Sequence, residues 1–236
     1  FGRCGGCDWQ HVAYAAQVQF KTEIVREQLA RIGKLPDADV RPCIASPNAY
    51  DYRNHTRLAL LENGHVGYRM ARSHRLIEVA DCPILLPDLR AMLADEFVVE
   101  EPEVDGEPDE VELQAWDDRV ALGGLSFQVS PGSFFQANTP VAEQLLAAVL
   151  AELPNTPGAR VLDLYCGVGL FTVPDALTGA AVTGVEANLD AADDAAANLE
   201  HAGVAGTLVA ADVVDALLQP ELADARWDAV ILDPPR

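Results

Sequence analysis

Across residues 13–32 (AYAAQVQFKTEIVREQLARI) the apolar positions Val18, Ile24, Val25, Leu29 and Ile32 recur near helical spacing, and Gly33 and Pro36 close the segment. That spacing predicts a helix. From His55 to Val79 the pattern changes to short alternating runs, TRLALL, GHVGYRM and HRLIEVA, split at Asn63-Gly64. It predicts a small antiparallel sheet. A short helix is expected over Asp88–Phe97, and an exposed loop over 100–110, where Pro102, Gly106 and Pro108 fall. Strand-like VELQAW, RVAL and LSFQVS follow.

From residue 139 the pattern is different. NTPVAEQLLAAVLAEL carries Asn138 or Thr139 as N-cap, Pro140 at the helix start and Pro154 just past its end. RVLDLYCGVGLFTVPDAL then reads as strand, glycine turn and helix; AAVTGVEA as a strand; NLDAADDAAANLEHAG as a helix stopped by Gly203; GTLVAAD as a strand; VVDALLQ as a short helix; and WDAVILDPPR as a fourth strand. Strands alternating with helices predict a parallel α/β sheet. The expected division is a small α+β domain over 1–125 and a Rossmann-like α/β domain over 126–236.

Composition narrows this picture. The chain of 236 residues is 50% hydrophobic and 22% charged, as in a globular protein with a substantial core. No apolar run reaches the ~18 residues that a membrane span needs, and no basic-then-apolar leader is present, so no membrane partner is expected. Five scattered cysteines argue against a secreted disulfide framework and for a cytoplasmic protein. The net charge of −21 argues against nucleic acid until its distribution is considered. Twelve acidic residues and no Lys or Arg lie between Asp95 and Asp118, whereas Arg53–Arg75 holds five arginines and three histidines against one acid, Glu62. Screening limits each charge to about 8 Å at physiological salt, so a basic island can bind phosphate on an acidic protein. A solvated charged face is the alternative reading.

The second half carries candidate chemistry. Gly167 and Gly169 follow a buried strand and allow the backbone to turn sharply against a ligand. Asp163 lies four residues before Gly167, and Glu186 nineteen after it at the end of the next strand. An acid there can accept both ribose hydroxyls of a nucleoside. Asp212 ends the third strand, placed for an adenine amino group, and Asp233 ends the fourth, fixed by Pro234 and Pro235. A nicotinamide dinucleotide and S-adenosylmethionine (SAM) would both use such groups. The turn GVGLF lacks the third glycine of the dinucleotide fingerprint, which favours SAM. Each acid taken singly reads more often as a helix cap; four at successive strand ends, with the glycine turn, read as a cofactor site.

LSFQVSPGSFFQANTP, DLYCGVGLF, GVEAN and DPPR together resemble the RNA 5-methyluridine methyltransferases, and FGRCGGCDWQH and DYRNHTRL are similar to the iron–sulfur-containing members. The resemblance runs in order along the whole chain. It implies SAM-dependent methylation of uracil C5 in RNA, 23S rRNA or tRNA, by a monomer. It implies that Gln136 reaches the cofactor and base pocket, that Tyr165 is the aromatic residue beside Gly167, and that Glu186, Asp212 and Asp233 hold the ribose, the adenine and the reacting end. Leu170 stands where other members carry a polar residue. Cys166 lies inside the cofactor turn, a poor place for a nucleophile. The resemblance also implies a [4Fe–4S] cluster on Cys4, Cys7 and Cys82, with a further ligand six residues before Cys4, outside this chain. Zinc would want a second close cysteine pair and a redox dithiol a neighbouring βαβ unit, but both remain alternatives. Cys43 is expected in the core.

In the family a cysteine thiolate adds to uracil C6, C5 takes the methyl group, and a glutamate removes the C5 proton. The resemblance places that cysteine and glutamate beyond Arg236. It also implies a seven-stranded sheet, of which the sequence supplies four strands, the last with an unpaired edge. The 236 residues alone are therefore expected to bind SAM weakly and to methylate nothing. The alternative is a non-catalytic RNA-binding relative that keeps the fold.

Overall fold

The computed structural model describes residues 2–61, 63–93, 95, 110–154 and 156–235. The chain divides into two compact units, Phe1–Ala115 and Trp116–Arg236. The division falls ten residues before the expected one, because the hairpin that follows Ala115 packs into the second unit.

The first unit opens with the CGGC segment and helix α1 (Tyr14–Arg31). Strands β1 (His55–Leu60), β2 (Val66–Arg69) and β3 (Leu76–Glu78) form the antiparallel sheet expected from the alternating runs. After helix α2 (Pro87–Met92), strand β4 (Glu110–Gln114) joins on the far side of β1, giving the order β3-β2-β1-β4. The acidic loop expected at 100–110 lies outside the described residues up to 109, as does the end of the helix expected to reach Phe97. Leu58, Val66, Leu85, Leu89, Leu93 and Leu113 make the core. Gly67 is needed inside β2, since a Cβ there would stand 2.4 Å from the Ile77 carbonyl oxygen on β3. Cys43 is half-exposed rather than in the core. Its N–H donates to Thr22 Oγ1 on α1 at 2.8 Å, which holds this loop at the surface.

The second unit begins with the hairpin β5 (Arg119–Leu122) and β6 (Leu125–Gln128), then helix α3 (Thr139–Glu152). Asn138 caps α3 by accepting the Val141 N–H at 3.2 Å. Strand β7 (Arg160–Leu164), helix α4 (Thr172–Leu177), strand β8 (Ala181–Glu186), helix α5 (Leu189–Ala202) and strand β9 (Thr207–Ala210) follow. Short helices α6 (Val213–Leu217) and α7 (Pro220–Ala223) lead to β10 (Ala229–Leu232); α7 had no signal beyond Pro220. The sheet order is β10-β7-β8-β9, all parallel. Among the described residues β10 pairs only with β7, leaving an edge that exposes Val230 and Leu232. The core joins both layers through Phe127, Phe135, Leu146, Val161, Val168, Leu170 and Phe171.

Candidate functional site

Four parallel strands in one sheet bring their carboxyl ends to one edge, where open α/β sheets bind ligands. Tyr165 follows β7, Glu186 ends β8, Asp212 follows β9 and Asp233 follows β10, so residues as far apart in sequence as Tyr165 and Asp233 share that edge.

The turn after β7 is set by backbone conformation. Tyr165 (φ +64), Gly167 (φ +54) and Gly169 (φ +88) all take left-handed values. At Gly169 only a glycine fits easily, since a Cβ would meet Val173 Cγ2 at 3.2 Å. At Gly167 nothing lies within 4 Å of a Cβ position, so the backbone faces open space. Tyr165 has a side chain and still holds a positive φ, strain of the kind that gathers at ligand sites.

Glu186 is joined to this turn. Its Oε2 accepts the Gly167 N–H at 2.9 Å and its Oε1 accepts the Asn188 N–H at 2.8 Å. The carboxylate is thereby fixed at the rim, half-exposed, with lone pairs left for further donors. Asp212 is exposed and caps α6, accepting the Val214 N–H at 2.8 Å. Asp233 is exposed between β10 and Pro234.

Asp163 behaves differently from the three rim acids. It lies within β7, is 1% exposed, and accepts Thr172 Oγ1 at 2.6 Å. Burial pushes its carboxyl up to about 7, with the neighbouring Asp175 and Asp233 adding to the effect. It is a buried support beneath the turn rather than a rim group. Cys166 is buried too, its thiol pushed well above the ordinary range by burial and by Asp163 and Glu186, which leaves no thiolate for nucleophilic attack. Leu170 is a core residue.

The sequence reading missed a polar hub on the inner face of α5. Asp194, 1% exposed, accepts Gln128 Nε2 (3.0 Å), Ser130 N–H (2.7 Å), Ser130 Oγ (2.9 Å) and Ser133 Oγ (3.2 Å). One turn later Asn198 accepts Gln128 N–H (2.6 Å) and Arg119 Nη2 (3.0 Å), and donates to the carbonyls of Gln128 and Val168, both at 3.0 Å. Val168 lies between the two glycines of the turn. Half-buried Gln136 lies three residues past Ser133, on the segment that Asp194 ties to α5. The hub therefore holds the Gln136 segment and the glycine turn to one helix. Its only sequence signal is an Asp and an Asn at i, i+4 within the alanine stripe of AADDAAANLE.

In the first unit Cys4, Cys7 and Cys82 line one cavity of about 340 Å³ with Arg53, Tyr68 and Pro83. The Cys7 thiol is pushed up by burial and by its neighbours Cys82 and Cys4. Among the described residues no group of three or more His, Cys, Asp or Glu is spaced to hold a single metal ion.

The family model described as "Methyltransferase small domain" matches residues 124–236. An uncharacterized RNA methyltransferase of Thermosynechococcus vestitus is 30% identical, over 99% of this chain and 68% of its own length. The 23S rRNA (uracil(1939)-C(5))-methyltransferase RlmD of Halomonas elongata is 31% identical, over 100% of this chain and 62% of that protein. Among solved structures, the Pyrococcus abyssi tRNA (uracil-54, C5)-methyltransferase in complex with S-adenosyl-L-homocysteine shares the fold, with a TM-score of 0.70 at 19% identity over 98% of this chain and 69% of that one. The chain thus spans about two thirds of the length of these relatives. With that identity and coverage, the chain belongs to the RNA methyltransferase family.

Proposed function

We propose that this chain is the part of an RNA uracil-C5 methyltransferase that binds SAM and engages the RNA, with 23S rRNA as the substrate class. The observation that carries the reading is the Glu186 carboxylate, held by the Gly167 and Asn188 N–H groups where Gly167 faces open space. The names of the RlmD relatives support the choice of uracil C5 and of 23S rRNA.

The rim residues fit SAM. Glu186 would accept the ribose hydroxyls, Asp212 the adenine amino group, and Asp233 would border the reacting end. Gly167 would let the main chain approach closely, with Tyr165 packing beside it and Gln136 reaching in from the segment ahead of α3. SAM, when bound, supplies an electrophilic methyl group. This chain's own contribution is to bind and orient, since its one cysteine near the turn, Cys166, is buried and protonated.

The test is calorimetric titration with SAM and gel-shift titration with 23S rRNA and tRNA transcripts. Glu186→Ala should weaken SAM binding about 100-fold, the loss of two charge-assisted hydrogen bonds. SAM affinity unchanged in that variant, or binding of NADH in place of SAM, would remove the reading.

The three cysteines fit a [4Fe–4S] cluster better than a single ion. They share one cavity, and burial together with Cys82 and Cys4 raises the Cys7 thiol, a conflict that coordination by a cationic centre relieves. Iron and acid-labile sulfide should be present in anaerobically purified protein and be lost in Cys82→Ser. Zinc without sulfide would overturn the assignment.

A further inference from the structure

A second concavity of the first unit, of about 430 Å³, lies against the end of β2 and is lined by Arg57, Arg69, Arg72, Tyr68, Gly5 and Gly6. Its walls are hydrogen-bonded together. The Gly5 N–H donates to the Arg69 carbonyl and the Ala71 N–H to the Arg3 carbonyl, both at 3.0 Å, and Cys4 pairs with Met70 as an antiparallel bridge. The CGGC segment thus lies alongside the β2–β3 hairpin as an extra edge. Gly5 permits this approach: a Cβ there would stand 3.1 Å from the Arg69 carbonyl oxygen.

The three guanidinium groups are lightly committed. Arg57 reaches Glu112 at 3.6 Å while half-exposed, a surface pair of small strength. Arg69 touches the His74 carbonyl at 3.5 Å. Arg72 makes no hydrogen bond or ion pair among the described residues, is exposed, and holds φ +55 in the hairpin turn. Glycine or asparagine would take that conformation at lower cost. The turn instead presents an arginine at the mouth of the groove.

Asp8 and Glu110 also border the concavity, so its lining charge is only slightly positive. On a chain of net charge −21 it gathers three arginines against two acids at one mouth. Guanidinium forks suit phosphate oxygens in a way that point charges do not. Tyr68, its hydroxyl held by Thr56 at 2.6 Å, adds a fixed aromatic wall. Arginines beside an aromatic surface, in a pocket too small for a helix, match the recognition of an unstacked strand.

We propose that this groove binds the backbone of single-stranded RNA, with Arg57, Arg69 and Arg72 as phosphate ligands. The proposal rests on the methyltransferase reading for the identity of the polyanion. The probe is a fluorescein-labelled single-stranded oligouridylate, titrated by anisotropy across a salt series. Each lost phosphate contact on a single strand lowers the slope of log K against log salt by about 0.7, so the triple variant R57Q/R69Q/R72Q should lose about 2. The triple Arg→Lys variant keeps its charges and should retain most of the slope. If the triple Gln variant fails to fold, Arg72→Gln in the exposed turn should still lose about 0.7. An unchanged slope in the Gln variants, with calorimetric SAM binding intact, overturns the groove and leaves the methyltransferase reading standing. Failure of the unaltered protein to bind the oligouridylate at low salt overturns both.

Discussion

Asp163 and Glu186 lie on adjacent parallel strands, and burial alone separates their chemistry. Glu186 is held at the rim by two backbone N–H groups, whereas Asp163 is enclosed beneath the turn with Thr172 as its partner. Burial raises Asp163 from 3.8 to about 7. Between those values the folded state keeps a proton that the unfolded chain has lost, so this group's contribution to stability falls as pH rises from about 4 to 7. The loss is on the order of 4 kcal/mol once both states are ionised. Asp163→Asn keeps the oxygen that accepts from Thr172 and removes the titration. Denaturant unfolding from pH 4 to 8 should show the variant gaining on the unaltered protein as pH rises; a constant difference would show that Asp163 does not titrate in that window. The sequence placed four acids at successive strand ends. It could not tell a side chain at the rim from one under it, because that depends on which side of the turn the chain covers.

At the scale of elements, α5 decides how the site is assembled. Its stop at Gly203, which takes φ +69, was legible as a local signal, whereas the N-cap Asn188 came only with the structure. The partners of Asp194 and Asn198 were not legible, since they come from 30 to 79 residues away. Asp194 accepts four donors and holds the segment that leads to Gln136, while Asn198 holds Val168 in the glycine turn. If Gln136 contacts SAM, Asp194 acts through it. Asp194→Asn should weaken SAM binding on the order of tenfold in the unaltered background and much less in a Gln136→Ala background, a coupling within the range seen for residues in one network. Additive losses in that double-mutant cycle would mean that Asp194 serves only the fold.

Along the sequence twelve acids concentrate over 95–118 and five arginines over 53–75, so a net charge of −21 still leaves an arginine-rich stretch for an RNA partner. The two compact units each keep their own core and their own candidate site. The sequence by itself determined the alternation of strands and helices, the antiparallel set ahead of it, the glycine turn and the resemblance to the family. All of these depend on local periodicity, capping and short motifs, which neighbouring residues set. The boundary at Ala115, the half-exposure of Cys43, the burial of Asp163, the α5 hub and the meeting of the CGGC segment with the β2–β3 hairpin were decided only by the tertiary structure. Each is a contact between residues far apart in the chain, and the free energy of burying or pairing a polar group is fixed by what the fold places against it.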